Sequence, residues 1–407
     1  MVSRSRRRLL GAIGTGAALA GGGYWLSRRR GVDCPDQLEP THEYTQSEFG
    51  IWSRPVLDDG TVFVGGGESL IRIGGTRPFR LLALNTRGEP EWVARRDLEG
   101  GFGTPCPTAD RVFVSTGANR LFAFDRATGH LQWEFDAGNN STGSMGVITL
   151  VHDETVIASV NEPSEDRLED DRYVVGLSAT DGELRWSVAV DGSISNGFTR
   201  QGDTVIAVTE DGNALGIDPE TGAEQWQTEL EGALSWNASP VVFSQTVWVP
   251  REDGTVIGFD PETGRIIERL STGPPAVVDA EKRDGAFGSA VYATDTKLLV
   301  GDLGGTVTAY DADQSESWRY EGDARVAALD ERDTRIAVVD QRGVYTELDR
   351  TTGEQYRSFL LADNRGDDQC GRWPSDERYR GIVTTGRSLF TTGRVVGTNR
   401  YRVPVHE

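Results

Sequence analysis

The residues that could carry out metal, nucleophilic or redox chemistry are few and scattered along the chain. One stretch, Asp311-Ala-Asp313-Gln-Ser315, alternates oxygen ligands like the start of a calcium loop, but it lacks the central glycine and terminal glutamate. We interpret it as a turn. No Cys-x-x-Cys, His-Glu-x-x-His or phosphate-binding lysine loop occurs. The four histidines show no ligand spacing: His42, His130, His152 and His406. The sequence therefore predicts no catalytic residue, no metal ligand and no cofactor-binding residue.

The charge balance excludes some partners. Lys and Arg total 42 against 63 Asp and Glu, a net charge of −21, which argues against binding to nucleic acid or to anionic membrane surfaces. Only Lys282 and Lys297 are lysines. An excess of acid with almost no lysine is typical of proteins from salt-loving organisms, in which carboxylates keep the surface hydrated. We expect a halophilic source and no nucleic-acid partner.

The first thirty residues have the character of an export signal. Ser5-Arg6-Arg7-Arg8-Leu9-Leu10 resembles the twin-arginine motif, and a glycine-diluted apolar run follows to Leu26. Ala18-Leu19-Ala20 offers a cleavage site, but flanking arginines would also suit a retained membrane anchor. Both alternatives stay open. We expect residues 1–30 to be a signal or anchor, 31–40 a linker, and the protein to be extracellular or at the cell surface.

A repeat of about forty residues dominates the rest of the chain. The full pattern is a β-branched strand, a turn, and a second strand that ends at Asp-x-x-Thr-Gly-x-x-x-Trp, and several copies match it only in part. The turn anchors follow one another at intervals of 38 to 53 residues: Asn85, Asp125, Ser178, Asp218, Asp260, Asp311 and Asp349. The residues that define the repeat are Asp125, Gly129, Trp133, Trp186, Asp218, Gly222, Trp226, Asp260, Gly264 and Trp318. Glu268 stands where the fifth copy should have its Trp.

Each type of residue in the repeat has a physical role. The Asp carboxylate can accept hydrogen bonds from turn amides, and Gly permits the positive φ that reverses the chain. The Trp is large enough to fill the wedge between neighbouring sheets. Four short antiparallel strands in every forty residues are typical of propeller blades.

The motif Ala123-Phe-Asp125 through Trp133 resembles the signature of the quinoprotein-type (PQQ-like) β-propeller repeat. The resemblance covers roughly residues 40–407, and it implies an all-β fold with one propeller domain over 41–407. Quinoprotein dehydrogenases of this kind carry adjacent cysteines and a calcium triad, which this chain lacks. The non-enzymatic BamB-type scaffolds are the better match, and they imply a binding role. A PQQ- and calcium-dependent dehydrogenase, or another enzyme with its site in the central funnel, remains the alternative.

Seven copies of the motif leave the chain ends to form an eighth blade. Three strand-like runs follow Leu361, and residues 43–49 resemble the strand that precedes Gly232. We predict eight four-stranded antiparallel blades, the last one closed by this N-terminal strand, which removes a free sheet edge. Closure of this kind would bring Cys34 near Cys370, so a disulfide between them is a hypothesis, with free thiols as the alternative.

The long insertions predict where binding occurs. All of them fall in second-to-third strand loops or in blade-to-blade connections, which share one face of a propeller. Aromatic residues also collect there, and they could either contact a partner or pack on the loops themselves. The candidates are Phe102, Phe198, Trp236, Phe287 and Trp373. We therefore predict a binding scaffold that engages a protein or glycan of the cell envelope through this face.

Overall fold

The computed structural model describes residues 36–38, 40–43, 50–68, 77–98, 102–116, 119–138, 149–162, 171–192, 194, 197–209, 211–230, 239–251, 253–271, 290–361, 381–385, 388–393 and 397–402. The regular secondary structure of these residues consists of strands. They belong to one compact unit, Asp36–Glu407. Within the described ranges there is no helix with the length and apolarity that a membrane crossing requires.

Eight sheets account for the strands of this unit. Three strands come first along the chain: β1 (Asp36–Leu38), β2 (Pro40–Glu43) and β3 (Gly50–Trp52). The blades then follow, innermost strand first: blade 1, β4 (Val56–Asp58), β5 (Thr61–Glu68), β6 (Arg77–Asn85) and β7 (Pro90–Leu98); blade 2, β8 (Cys106–Pro107), β9 (Arg111–Ser115), β10 (Arg120–Asp125) and β11 (Leu131–Asp136); blade 3, β12 (Leu150–His152), β13 (Thr155–Glu162), β14 (Asp171–Ser178) and β15 (Leu184–Ala189); blade 4, β16 (Phe198–Gln201), β17 (Thr204–Val208), β18 (Asn213–Ile217) and β19 (Glu224–Glu229).

The second half of the ring has the same order within each sheet. Its strands are: blade 5, β20 (Val241–Phe243), β21 (Thr246–Pro250), β22 (Thr255–Phe259) and β23 (Ile266–Ser271); blade 6, β24 (Ala290–Ala293), β25 (Leu298–Gly301), β26 (Thr306–Tyr310) and β27 (Glu316–Glu321); blade 7, β28 (Val326–Arg332), β29 (Arg335–Asp340), β30 (Val344–Asp349) and β31 (Gln355–Leu361); blade 8, β32 (Gly381–Thr385), β33 (Ser388–Gly393) and β34 (Gly397–Arg402), completed by β2. The predicted all-β, four-stranded, eight-bladed architecture is confirmed.

The antiparallel order within each blade separates the connections into two faces. The Thr-Gly turns and the first-to-second strand turns lie at one end of the strands, which we call the turn face. The second-to-third strand loops and the blade-to-blade connections lie at the other end, the loop face. The long segments 69–76, 163–170, 272–289 and 362–380 all join strand ends at the loop face.

Apolar packing between neighbouring blades holds the ring together. The eight boundaries between blades, which we call seams, each have their own buried cluster. In seam 1/2, for example, Phe63 and Leu81 of blade 1 pack with Val112 and Phe122 of blade 2. The ring is closed because the innermost strand of blade 8, β32, contacts the innermost strand of blade 1, β4.

The N-terminal strand completes blade 8, as predicted, but with a different segment. Strand β2 pairs antiparallel with β34, with Pro40 opposite Tyr401 and Glu43 opposite Asn399. Sequence comparison placed this strand at residues 43–49, of which only Glu43 belongs to it; residues 44–49 lie outside the described ranges. The shift has a simple cause. The pairing of β2 depends on backbone hydrogen bonds to β34. The expectation for residues 43–49 came from their side-chain likeness to the strand before Gly232, which does not predict where those backbone hydrogen bonds form.

Strand β1 was not predicted. It adds to the outer edge of blade 7 in parallel, with Asp36 opposite Phe359 and Leu38 opposite Leu361. It lies inside the segment expected to be a linker. Because a single residue separates β1 from β2, the stretch from Asp36 to Glu43 passes from the edge of blade 7 to the edge of blade 8 and spans seam 7/8 on the outside of the ring.

Candidate binding surfaces and the central channel

The Thr-Gly turns are closed by their own side chains. Asp218 accepts hydrogen bonds from the Thr221 amide (2.8 Å) and the Thr221 hydroxyl (2.9 Å), and Asp125 does the same with Thr128. The Thr128 hydroxyl, followed by its amide, lowers the pKa of the Asp125 carboxyl. The anchoring role expected for these aspartates is therefore present, and the hydrogen-bonding capacity of these side chains is used within the turn.

Each repeat Trp joins its own blade to the turn of the next. The indole N–H donates to the carbonyl of the residue that follows the turn anchor, and the ring lies over the turn glycine. A Cβ built on Gly129 would be 2.5 Å from the Trp92 ring. The donor–acceptor pairs are Trp92 to Arg126 (2.8 Å), Trp133 to Ala179 (3.1 Å), Trp186 to Pro219 (3.1 Å), Trp226 to Pro261 (3.0 Å) and Trp318 to Arg350 (2.9 Å). Five seams share this contact.

Seam 5/6 lacks the Trp and compensates from another strand. Glu268 pairs with Gly258, and Trp248 of the second strand lies across the same glycine. Trp248 is fully buried and packs with Leu298 of blade 6. In seam 8/1 the second-strand residue Phe390 fills the equivalent place, and the Ser388 hydroxyl donates to the Thr86 carbonyl at 2.6 Å, as an indole does elsewhere.

Seam 7/8 is the polar exception. Glu347 and Arg357 are paired at the positions that hold a small residue and a Trp in blades 1, 2, 3, 4 and 6. Arg357 donates to both Glu347 oxygens (2.7 and 3.0 Å), and Arg332 (2.9 Å) and the Tyr345 hydroxyl (2.6 Å) also donate to that carboxylate. Glu347 is only 2 % exposed. Blade 8 has the two chain ends where a Thr-Gly turn would be, so no turn is available there to receive an indole.

Two carboxyls of this seam, the half-buried Asp330 and the buried Glu347, have opposite pKa shifts. Burial raises the pKa of Asp330, although Thr384 of blade 8 donates to it from both its amide (2.6 Å) and its hydroxyl (2.7 Å). Burial would also raise the pKa of Glu347, but the hydrogen bonds from Arg357 and Tyr345 and the charges of Arg357 and Arg332 outweigh it and lower that pKa. Glu347 is therefore ionised and paired at neutral pH.

Two of the five predicted contact residues are buried, and we correct their assignment. Phe102 is 3 % exposed and belongs to the buried cluster of seam 1/2. Its ring contacts the rings of Phe79, Phe122 and Phe124 edge-on. Phe198 is 5 % exposed and belongs to the cluster of seam 3/4. Both aromatic side chains therefore pack within the protein, between blades, and are not exposed for contact with a partner. Neither can anchor a partner in this state.

The other predicted sites lie outside the described residues. These are the contact candidates Trp236, Phe287 and Trp373 and the cysteines Cys34 and Cys370, so the disulfide stays a prediction. Among the described residues Cys106 is a free cysteine, and burial raises its pKa to about 11, which favours the unreactive thiol. No group of three or more His, Cys, Asp and Glu in the described ranges could hold a metal ion. Asp313 accepts from Ser315 and Asp311 pairs with Lys297, as parts of a turn.

The central channel contains a contact that no repeat pattern indicated. Arg54, just before the innermost strand of blade 1, donates from Nη1 to the Ser239 hydroxyl, 3.4 Å away and just before the innermost strand of blade 5. A motif-based comparison aligns the strands and turns of the repeat. The signal that could have found this contact lies upstream of them, in the matching pairs Arg54-Pro55, Thr104-Pro105 and Ser239-Pro240.

Known proteins support this class of fold: a ring of four-stranded blades joined by Trp–turn contacts. The sequence matches the family described as outer membrane protein assembly factor BamB over residues 37–164 and 150–287. Since these matches span more than half of the chain, the chain belongs to this family of PQQ-like propeller repeats. No curated protein matches it.

Solved structures agree on the fold. BamB from Moraxella catarrhalis is 17 % identical, with a TM-score of 0.57, and the match covers 89 % of this chain and 98 % of that one. The computationally designed Ika8 protein (14 %, TM-score 0.61) is covered completely and matches 90 % of this chain. Sqt1 of Saccharomyces cerevisiae (12 %, TM-score 0.64) is also covered completely and matches 91 %.

Proposed function

We propose that the protein is an exported propeller scaffold, released or anchored at the cell surface, that binds a protein of the cell envelope through its loop face. The observation that carries the proposal is the contrast between the two faces. Turns on the turn face are short. Their side chains make hydrogen bonds within the turn, and their backbone carbonyls accept from the Trp of the adjoining seam. The long connections all leave strand ends at the loop face, and loops on a rigid scaffold are where binding is concentrated.

Membership of the BamB family supports the scaffold role at the level of class, because the family description names an assembly factor of the outer membrane. The export step rests on the twin-arginine-like residues 5–10. The predicted contacts that remain are Trp236, Phe287 and Trp373. Large aromatic side chains at a protein interface typically contribute much of the binding energy.

The test compares the two faces in one capture experiment. Trp236→Ala and Trp373→Ala remove aromatic side chains from the loop-face connections, and Leu184→Ala removes a side chain that is 54 % exposed beside the Asp181-Gly182 turn on the turn face. After cross-linking in envelope extract at high salt, we expect the wild type and Leu184→Ala to retain the same protein and the two Trp variants to lose it. An unchanged partner in the Trp variants would contradict the proposal, and capture abolished by periodate treatment would indicate a glycan instead.

The proposal includes no cofactor. Purified protein mixed with PQQ and Ca²⁺ should therefore show neither a bound quinone absorbance nor dye-linked oxidation of alcohols or sugars. Stoichiometric PQQ binding would favour the dehydrogenase alternative.

A further inference from the structure

The outermost strands of the eight blades differ in charge. An outermost strand has backbone N–H and C=O groups along one side that no neighbour in its own sheet can pair, and charged side chains keep such an edge from pairing with another chain. Six of these strands contain at least one Asp or Glu: β2, β7, β11, β19, β23 and β27. Only β15 of blade 3 and β31 of blade 7 contain none.

The edge of blade 7, which has no carboxylate, is covered by another strand. Strand β1 adds to β31 as a fifth strand, with Asp36 opposite Phe359 and Leu38 opposite Leu361. Blade 3 has the other edge of this kind, and within the described ranges no strand pairs with the outer side of β15. The edge without carboxylates thus accepts a further strand in blade 7, and the matching edge of blade 3 is open to one.

The backbone of β15 presents hydrogen-bonding groups to the outside. The Val190 amide donates to the Arg172 carbonyl of β14 at 2.8 Å. Because the hydrogen bonds of an antiparallel strand alternate in direction, the backbone groups of Ser187 and Ala189 point away from β14. The side chains of both residues are exposed. At the start of the strand, Leu184 is the most exposed large apolar residue of the described ranges.

We propose that the outer edge of blade 3 pairs with the same edge of a second copy of the protein. The two β15 strands run antiparallel about a two-fold axis at Ser187. In this register Ser187 lies opposite its counterpart, Arg185 lies opposite Ala189 and Trp186 lies opposite Val188. Blade 3 of one copy and blade 3 of the other then form one eight-stranded sheet.

The edge is complementary to itself in charge. Arg185 is the one charged residue of β15, and it faces a neutral alanine of the second copy, so no like charges lie directly opposite each other. The neighbouring outermost strands β11 and β19 carry two carboxylates each, and self-pairing there would bring four carboxylates into one ladder. A two-fold contact in which the same surface meets itself is the commonest arrangement in soluble oligomers.

The charge of the whole molecule makes the dimer depend on salt. Each copy carries a net charge of −21, so two copies repel each other until salt shortens the screening length to about 3 Å at about 1 M. An edge contact of one strand from each copy is small beside the roughly 1,200–2,000 Å² of a stable interface. We therefore expect a weak dimer that salt strengthens. Because the rim of the ring belongs to neither face, this dimer presents two loop faces.

The experiment is sedimentation velocity of the full-length protein over a range of concentrations. It is run in about 1 M KCl and in the lowest KCl concentration that preserves the native circular dichroism. We expect a reversible dimer with the lower dissociation constant at the higher salt. Ser187→Pro removes an outward N–H from each copy and no hydrogen bond to β14. It should raise the dissociation constant about thirtyfold, as the loss of two hydrogen bonds predicts.

The control applies the same substitution to an acidic edge. Gln227 of β19 follows Trp226 as Ser187 follows Trp186, and the Leu230 amide donates to Gly212 as the Val190 amide donates to Arg172. Gln227→Pro therefore removes the matching outward N–H of blade 4. It should leave the dissociation constant unchanged.

Ser187→Glu provides a second variant that keeps the backbone intact, because the side chain is exposed. It places two carboxylates opposite each other at the two-fold axis, so the dimer should weaken, and more at the lower salt than at the higher one. A wild type that stays monomeric at every concentration and salt overturns the inference. So does a dimer that neither Ser187 variant weakens while its thermal midpoint is native, or one that Gln227→Pro weakens equally. None of these outcomes bears on the loop-face function, which the Trp236 and Trp373 variants test separately.

Discussion

The glycine of a Thr-Gly turn is required by the tryptophan that covers it. Gly264 has a φ of +69°, and a Cβ there would lie 2.4 Å from the Trp226 ring. Seam 5/6 shows the converse. Blade 5 has Glu268 in place of Trp, and the turn of blade 6 has Gln314 at a φ of +67°. Without an indole above it, the same backbone conformation accepts a side chain. The repeat residues therefore depend on each other across blades: a Trp in one blade requires a glycine in the turn of the next blade.

Substitution of two glycines separates backbone strain from this contact. Gly60 has a φ of +77° and no atom within 4 Å of a built Cβ, so Gly60→Ala should lower the free energy of unfolding by about 1 kcal/mol from strain alone. Gly264→Ala must also displace Trp226 and should cost at least about 2 kcal/mol more. Chemical denaturation measures both. Equal losses would show that the ring does not restrict the turn.

The sequence indicated the local role of the repeat residues but not the burial of Phe102 and Phe198, for a physical reason. Asp125, Gly129 and Trp133 recur at fixed spacing because each serves the same local geometry in every blade. Phe102 has no such spacing, and it lies against Gly65 of blade 1, where an added Cβ would be 2.8 Å from the Cβ of Phe102. A contact of this kind between blades is not visible in the local sequence.

Seam 7/8 shows how the ends of the chain alter the repeat. The third and fourth strands of blade 8 come from opposite ends of the chain, so the blade lacks the connecting turn whose carbonyl receives the indole N–H in five other seams. The chain has an arginine at position 357 and a glutamate opposite it, with Arg332 and Tyr345 completing the hydrogen bonds of the carboxylate. The break was visible in the sequence as a missing Trp. Its replacement by a buried ion cluster required knowledge of which side chains share that face.

Glu347→Gln tests the ion cluster. It leaves Arg332 and Arg357 buried without their carboxylate and should lower the free energy of unfolding by about 3–5 kcal/mol at pH 7. The control, Glu316→Gln, breaks an exposed pair with Arg319 and should cost no more than about 0.5 kcal/mol.

The same variant has a pH signature. Since the pKa of Glu347 is lowered on folding, its stabilisation is present above the unfolded value and is lost as the pH falls through the folded one. The difference between the wild type and Glu347→Gln should therefore narrow below about pH 4. A difference that does not change with pH would mean that the charge of Glu347 does not contribute.

Ring closure depends on a short N-terminal stretch. Strands β1 and β2 add three paired residues each to blades 7 and 8. The sequence predicted that this end of the chain closes the ring but not that it also adds to blade 7, because three residues in parallel pairing leave no side-chain pattern. The five seams with a Trp–turn contact, by contrast, followed from the recurring Trp and the alternating strands.

Truncation tests closure. Removal of residues 1–35 leaves both strands, and the thermal midpoint should not change. Removal of 1–43 deletes six paired residues; at about 1 kcal/mol for each pairing and about 1–2 °C per kcal/mol for a unit of this length, the midpoint should fall by about 6–12 °C. A synthetic peptide of residues 36–43 added to the shorter protein should restore much of the loss. Equal midpoints for the two truncations would show that the stretch is not needed.

The pairing of Glu43 with Asn399 also sets the earliest time at which the ring of blades can close during synthesis. Ribosomes add about 5–20 residues per second, so roughly 20–70 s pass between the synthesis of β2 and that of β34. Throughout this interval β2 has no partner, while the blades between can form in order. The pairing of β2 with β34 closes the ring, and it can take place only after translation has reached Arg402.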